Sequence, residues 1–258
     1  MTALRFANAA VLVSGAARGF GRLAAQRLAR EGARLALCDL DAVQLAEAAR
    51  DCQALGAEVC VLAGDVAQED TARGLVDLCV SRYGRLDAAL NNAGIANALA
   101  KLPDIPSDAA RRVLAVDLFG VFLALKYQLP VMARQNSGAI LNVASVAGLV
   151  GAPLMAVYAA AKHGVIGLTK TAALEYARTN VRINAICPAF AATAMVHDMI
   201  GGMDGDVEAA TARMLAAVPM KRMAQPAEVV EAMLWMLSPA NSFMTGHALA
   251  LDGGLCAG

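Results

Sequence analysis

The stretch Ala10-Val-Leu-Val-Ser14-Gly15-Ala-Ala-Arg18-Gly19-Phe20-Gly21 decides the fold. Ala10–Ser14 carries no charge and no turn former, so it reads as a strand buried on both faces. Three glycines follow within seven residues, and helical patterning then runs from Gly19 to about Glu31. Strand, glycine turn and helix in this order let the backbone bend tightly, approach a pyrophosphate and aim helix N–H groups at it. A glycine triplet alone is only a tight turn. The ordered context makes Gly15, Arg18, Gly19, Phe20 and Gly21 candidate dinucleotide contacts.

The same grammar repeats outward from this unit. Gly32 closes the first helix as a left-handed cap would. Expected next are strand Arg34–Cys38, helix Ala42 to about Leu55 closed by Gly56, strand Glu58–Ala63, helix Thr71–Tyr83 closed by Gly84, and strand Leu86–Leu90. A long helix over roughly Ser107–Gln135 leads to strand Ala139–Val143, and a second, Val157–Thr179, to strand Arg182–Ile186. Helix Glu228–Leu237 and strand His247–Leu251 finish the chain. Short apolar strands alternating with helices predict an α/β fold: a Rossmann-type, doubly wound parallel sheet of about seven strands in a three-layer α/β/α arrangement. With no repeat or linker, residues 1–258 read as one dinucleotide-binding and catalytic domain.

Composition narrows the function classes. The 258 residues are 58% hydrophobic and 17% charged, with 22 basic against 22 acidic side chains. That charged fraction excludes a disordered chain. The zero balance, without a basic block, leaves no footprint for nucleic acid or anionic lipid. Six cysteines without C-x-x-C spacing and three scattered histidines suggest buried thiols in a reducing compartment, and no metal site. Lys126 interrupts the best apolar run, Gly120–Met132, short of the roughly 18 residues a spanning helix needs. Arg5 and the apolar Phe6–Val13 mimic a signal peptide, but that stretch runs into the glycine turn and is better used as a strand. The expectation is a cytoplasmic protein with no membrane partner.

In doubly wound sheets, ligands bind beyond the carboxyl ends of the strands. After the second strand, Asp39 and Leu40 lie about twenty residues past the glycines, where a carboxylate accepts hydrogen bonds from a ribose and repels a 2′-phosphate. Asp41 fits a helix N-cap better. Arg18 pulls toward a 2′-phosphate, but two acids against one flexible cation favour NAD over NADP. Asp65 and Val66 stand where an adenine edge would lie. Asn91-Asn92-Ala93-Gly94 combines small residues for close approach with amides able to tie strands together; ordinary turn chemistry explains both segments equally well.

Ser145 follows the fifth strand, and Tyr158-Ala-Ala-Ala-Lys162 opens the next helix. At i and i+4, tyrosine and lysine share one helical face. An ammonium beside a phenol stabilises the phenolate, making Tyr158 a candidate proton acceptor and donor, with the Ser145 hydroxyl polarising the same substrate oxygen. A surface helix pair is the bland reading, and it fits poorly at the start of so apolar a helix.

Taken together, the chain resembles the short-chain dehydrogenase/reductase family, in its single-domain branch, along essentially its whole length. The resemblance rests on Gly15-x-x-x-Gly19-x-Gly21, Asn91-Asn92-Ala93-Gly94, Ser145, Tyr158-x-x-x-Lys162, Pro188 with Thr193, and Asp252-Gly253-Gly254. It implies Tyr158 as acid/base, Lys162 as its partner and a holder of the nicotinamide ribose, and Ser145 on the substrate oxygen. It also implies Pro188 and Ala191 to Thr193 at the carboxamide, and a homo-oligomer, commonly a tetramer. Two positions depart from the family pattern. Ala189 follows Pro188 where glycine is usual. Asp117, in Asp117-Leu118-Phe119-Gly120, replaces the asparagine that holds a water in a proton relay to the lysine. The expectation is that Asp117 keeps that relay; the alternative is that it only bonds neighbouring backbone N–H groups.

Pro188 to Met223 shows little helix or strand signal and holds six methionines, Met195, Met199, Met203, Met214, Met220 and Met223. A loop of this length reads as a substrate lid, its thioethers wrapping an apolar ligand or packing a satellite core. Leu149, Val150 and Met155 add apolar wall. The function expected is hydride transfer between a nicotinamide cofactor and a small secondary alcohol or ketone with a hydrophobic body. An NADPH-dependent ketoreductase and a catalytically inactive nucleotide-binding scaffold are the alternatives. A sugar-nucleotide epimerase or dehydratase would need an added substrate domain.

Overall fold

The computed structural model describes residues 4–201 and 206–257. Seven parallel strands form one sheet in the order β3-β2-β1-β4-β5-β6-β7. They are β1 (Ala10–Ser14), β2 (Arg34–Asp39), β3 (Val59–Ala63), β4 (Ala88–Asn91), β5 (Gly138–Val143), β6 (Val181–Pro188) and β7 (Ala248–Leu251). The order reverses between β1 and β4, whose registers align Ser14 with Asn91. This switch point opens the ligand crevice of such sheets.

The helices are α1 (Gly19–Arg30), α2 (Ala42–Ala54), α3 (Glu69–Tyr83), α4 (Ser107–Leu114), α5 (Gly120–Gln135), α6 (Ala156–Tyr176), α7 (Ala194–Gly201), α8 (Val207–Ala216) and α9 (Pro226–Leu237). Side chains of a strand alternate between faces. Val11 and Val13 accordingly join Leu28, Met233 and Leu234 in one core, while Ala10 and Leu12 join Leu75, Val121, Leu125 and Val165 in the other. Asp41 caps α2 as expected, accepting the N–H groups of Val43 and Gln44. Gly32, Gly56 and Gly84 all have positive φ.

Three expectations need correction. The segment after Pro188 is helical over α7 and α8; Met195 and Met220 are exposed, Met199, Met214 and Met223 are half-buried, and Ile200, Ala210 and Val218 are buried. Met203 lies outside the described residues. The long helix is not uniform: Ala115–Phe119 forms one wide π turn between α4 and α5, and the Gly120 N–H donates to Ala115 O. Finally, Ser107–Gln135 taken as one 29-residue helix does reach the length and hydropathy of a membrane span, because a spanning window tolerates a lone charge such as Lys126. Half of that window is buried within the fold, and Val121, Leu125, Leu129 and Met132 belong to the sheet core.

Candidate active site

The glycine turn is shaped by close packing. A Cβ at Gly15, where φ is +65°, would sit 2.8 Å from Ala93 Cα, and one at Gly21 only 1.9 Å from Gly15 O. The segment after β4 therefore lies directly against the turn. Asn92 Nδ2 donates to the carbonyls of Ser14 and Gly15 at 3.1 and 3.0 Å, while Ser14 Oγ accepts the N–H groups of Asn92 and Ala93. Beyond the turn, Gly19 faces open space. Among the described residues no side chain caps α1, and its first turn carries no acid. Helix N–H groups left this way are normally satisfied by capping side chains, water or a ligand. With the bare backbone at Gly19 they fit the pyrophosphate of a dinucleotide.

The other cofactor candidates divide. Asp39 stands at the end of β2, half-buried, with Leu40 and Arg18 exposed beside it and Phe20 half-buried on α1. Asp65 is held by Arg112 of α4 at 2.6 Å and by the Ala67 N–H at 3.0 Å. These contacts hold its carboxyl below the ordinary range against the opposing effect of burial. Val66 packs against the Gly120 backbone. Asn91 is turned into the core: it exchanges hydrogen bonds with Gln128 and donates to Asn142 at 2.9 Å. Its side chain ties β4, β5 and α5 together. Ala191 bridges to Ala224, and the Thr193 N–H donates back to Ala191 O at 2.7 Å, folding the chain just after β6 and Pro188.

At the ends of β5 and α6 the catalytic candidates converge. Ser145 Oγ accepts the Ala147 N–H at 3.2 Å and lies 3.5 Å from Pro188 O, which joins the β5 and β6 ends. Tyr158 stands in the first turn of α6. Lys162 Nζ lies 5.4 Å from the Tyr158 ring centre and donates to Val143 O at 3.1 Å. Sequence reading missed Asn97. Buried, it accepts the Tyr158 N–H on Oδ1 at 3.3 Å and donates through Nδ2 to the carbonyls of Ala98 and Leu154, steadying the start of α6. Nothing local marks it, since its partner is 61 residues away.

Asp117 sits in the π turn with 0% of its side chain exposed. Oδ1 accepts the N–H of Ile95 at 2.8 Å, a residue of the segment after β4 and not a neighbour on its own helix as the backbone-bonding alternative had it. Oδ2 faces Lys162 Nζ directly at 3.0 Å. At that distance no water fits between the two groups, so the expected water link to the lysine through this side chain is replaced by a direct pair. Burial lowers the pKa of Lys162, but the Asp117 carboxylate and then Tyr158 outweigh it and leave it raised. The lysine stays an ammonium. Among the described residues no cluster of metal-ligating side chains accompanies the site.

The family described as enoyl-(acyl carrier protein) reductase matches residues 15–256. The chain is 40% identical to cis-4-hydroxycyclohexanecarboxylate dehydrogenase of Sinomonas cyclohexanicum, covering 98% of each chain. It is 34% identical to cyclohexanol dehydrogenase of Acinetobacter sp. (strain SE19), covering 96% of this chain and 95% of the relative. The structure of NAD+-bound xylitol dehydrogenase superimposes with a TM-score of 0.92 at 35% identity, over 96% of this chain and 99% of that one. The chain belongs to the short-chain dehydrogenase/reductase family, the nicotinamide-dependent oxidoreductases that interconvert secondary alcohols and ketones.

Proposed function

We propose that this enzyme interconverts an alicyclic secondary alcohol and its ketone, using NAD. The observation that carries the reading is the convergence of Ser145, Tyr158 and Lys162 at the sheet's ligand crevice. The ring preference draws on two relatives named for cyclohexane alcohols, and on an apolar rim. Val150, Leu154 and Met195 are exposed near the strand ends, with Leu149 and Met155 half-buried beside them.

The nicotinamide, when bound, accepts or gives the hydride. The protein's own groups then divide the remaining work. The glycine turn and the uncapped end of α1 hold the pyrophosphate, and Asp39 takes the adenosine ribose, favouring NAD over NADP. Ser145 Oγ orients the substrate oxygen. Tyr158 takes the hydroxyl proton in oxidation and returns it in reduction. Lys162 stabilises the charge on the phenolate and has donor capacity left for the nicotinamide ribose.

A homo-oligomer, most simply a tetramer, fits the surface. Phe119 and Phe122 stack at 5.6 Å while both remain exposed, and Leu114 on α4 and Leu174 on α6 are exposed on the two long helices. Trp235 of α9 and Phe243, between α9 and β7, are exposed as well. Six free cysteines, four of them buried, agree with a cytoplasmic setting.

The test is a panel of cyclic and open-chain secondary alcohols and ketones with each cofactor, read by nicotinamide absorbance. Preference for cyclic substrates with NAD supports the proposal. Turnover confined to open-chain substrates, or to NADP, overturns the corresponding half.

A further inference from the structure

Asp117 and Lys162 form a direct buried ion pair beneath the start of α6. The pair leaves little freedom. Oδ1 is fixed by the Ile95 N–H and Nζ by Val143 O, while Oδ2, which has no hydrogen-bond partner of its own among the described residues, lies 3.0 Å from Nζ in ion-pair contact. Gly94 closes the front: a Cβ there would come within 3.2 Å of Oδ2 and 3.3 Å of Nζ. The titratable groups facing the ammonium are Asp117 from the π turn, Tyr158 from its own helix and Cys187 from β6. Burial pushes the Cys187 thiol up to about 12, so it stays neutral. Asp117 is therefore the one fixed negative charge among them.

That charge changes what the lysine does for the tyrosine. An unpaired ammonium beside a phenol favours the phenolate. A carboxylate 3.0 Å from the same ammonium opposes part of that field. With asparagine at 117, the lysine, tyrosine and residue 117 would together carry one positive charge before the phenol ionises. With aspartate they carry none, and ionising the phenol makes the site negative.

We propose that Asp117 is a positioning residue acting through Lys162. It holds the ammonium in place and cancels part of its field at Tyr158, keeping the phenol protonated over a wider neutral range and suiting the site to proton donation during ketone reduction. The inference rests on the reading of Tyr158 as the proton-transfer group.

The experiment compares wild type, Asp117→Asn and Asp117→Glu, measuring kcat/KM against pH in both directions with a cyclic alcohol and its ketone. In Asp117→Asn, the rising limb of oxidation and the falling limb of reduction should both move toward acid by about one pH unit, while Asp117→Glu keeps them near their wild-type positions. A purely structural role would lower the melting temperature and leave both limbs in place; unmoved limbs, or movement toward base, overturn the proposal. The cofactor-free protein gives a second readout. The tyrosinate absorbance that Tyr158→Phe removes should develop at lower pH in Asp117→Asn than with Asp117 intact. If the asparagine variant does not fold, Asp117→Ser makes the same comparison: a band that develops at lower pH than in wild type supports the proposal, and one that is unmoved or moved toward base overturns it. Failure of the Tyr158 reading is separately visible, as substantial turnover in Tyr158→Phe itself.

Discussion

Asp39 reaches back from the end of β2 to the glycine turn: its Oδ2 accepts the Ala17 N–H at 3.0 Å, and its Oδ1 accepts that of Asp41 at 3.1 Å. One carboxylate thus braces the turn against the first strand crossover, beside the ribose site proposed for the cofactor.

Removing this carboxylate should strike both roles. Asp39→Ala is expected to weaken NAD binding by about 1.5–3 kcal/mol, the worth of hydrogen bonds to a charged group. NADP should gain relative to NAD, because the repulsion of a 2′-phosphate disappears and Arg18 stands exposed nearby. Titration of each cofactor by fluorescence quenching measures both; wild-type preference for NADP would contradict the assignment.

Tyr158→Phe removes one hydroxyl and leaves α6 intact. Turnover should fall by roughly 10²–10⁴-fold, the usual worth of general acid/base catalysis, while NAD still binds. Steady-state rates beside a binding titration check the two outcomes together, and retention of more than half the activity, by order of magnitude no loss at all, rules the role out.

Gly21→Ala tests the packing of the turn. Its Cβ would fall 1.9 Å from Gly15 O and 2.7 Å from Asn92 Nδ2, so the turn or the segment after β4 must shift. Overpacking of this kind costs about 1–3 kcal/mol, which in a chain of this size lowers the melting midpoint by roughly 2–4 °C per kcal/mol. Cofactor affinity should fall with it. An unchanged melt and unchanged NAD binding would mean that the turn is not held this tightly.

Glu228 opens α9, where it accepts both Arg222 nitrogens at 2.7 Å and the Gln225 N–H at 2.7 Å. The Arg222 bonds, and then the backbone bond, hold its carboxyl down at about 2. A depressed carboxyl contributes stability that is complete above its ordinary value of 4.5 and is lost as pH falls from there toward about 2. Glu228→Gln should therefore flatten the acid limb of melting temperature against pH without moving the neutral plateau's pH dependence. Because the pair is exposed, high salt should reproduce part of the effect. Identical acid limbs in both proteins would exclude this contribution.

The local signals of this chain were strong where one window of sequence held the whole physical cause. The apolar run Ala10–Ser14 followed by Gly15, Gly19 and Gly21 can hardly be anything but a strand, a tight turn and a helix. Tyr158 and Lys162 share a face simply because they are one helical turn apart. Asp41 was legible as an N-cap for the same reason. The helices α7 and α8 were missed because their residues mix small, apolar and polar side chains without a clean stripe.

What sequence spacing could not hold was decided by the sheet. Placing β4 beside β1 brings Asn92 onto the glycine turn and turns Asn91 into the core. The two adjacent asparagines had looked equivalent, and strand alternation gave them opposite duties. Aligning β5 between β4 and β6 brings the start of α6 against the π turn, and only then do Asn97 meet Tyr158 and Asp117 meet Lys162. The sequence by itself determined the elements, the glycine turn and the pair of residues on α6, because each depends on neighbours within a few turns of chain. Only the tertiary structure decided the ion pair that surrounds the lysine, because a charge acts through distance in space, and that distance is set by strand order and register.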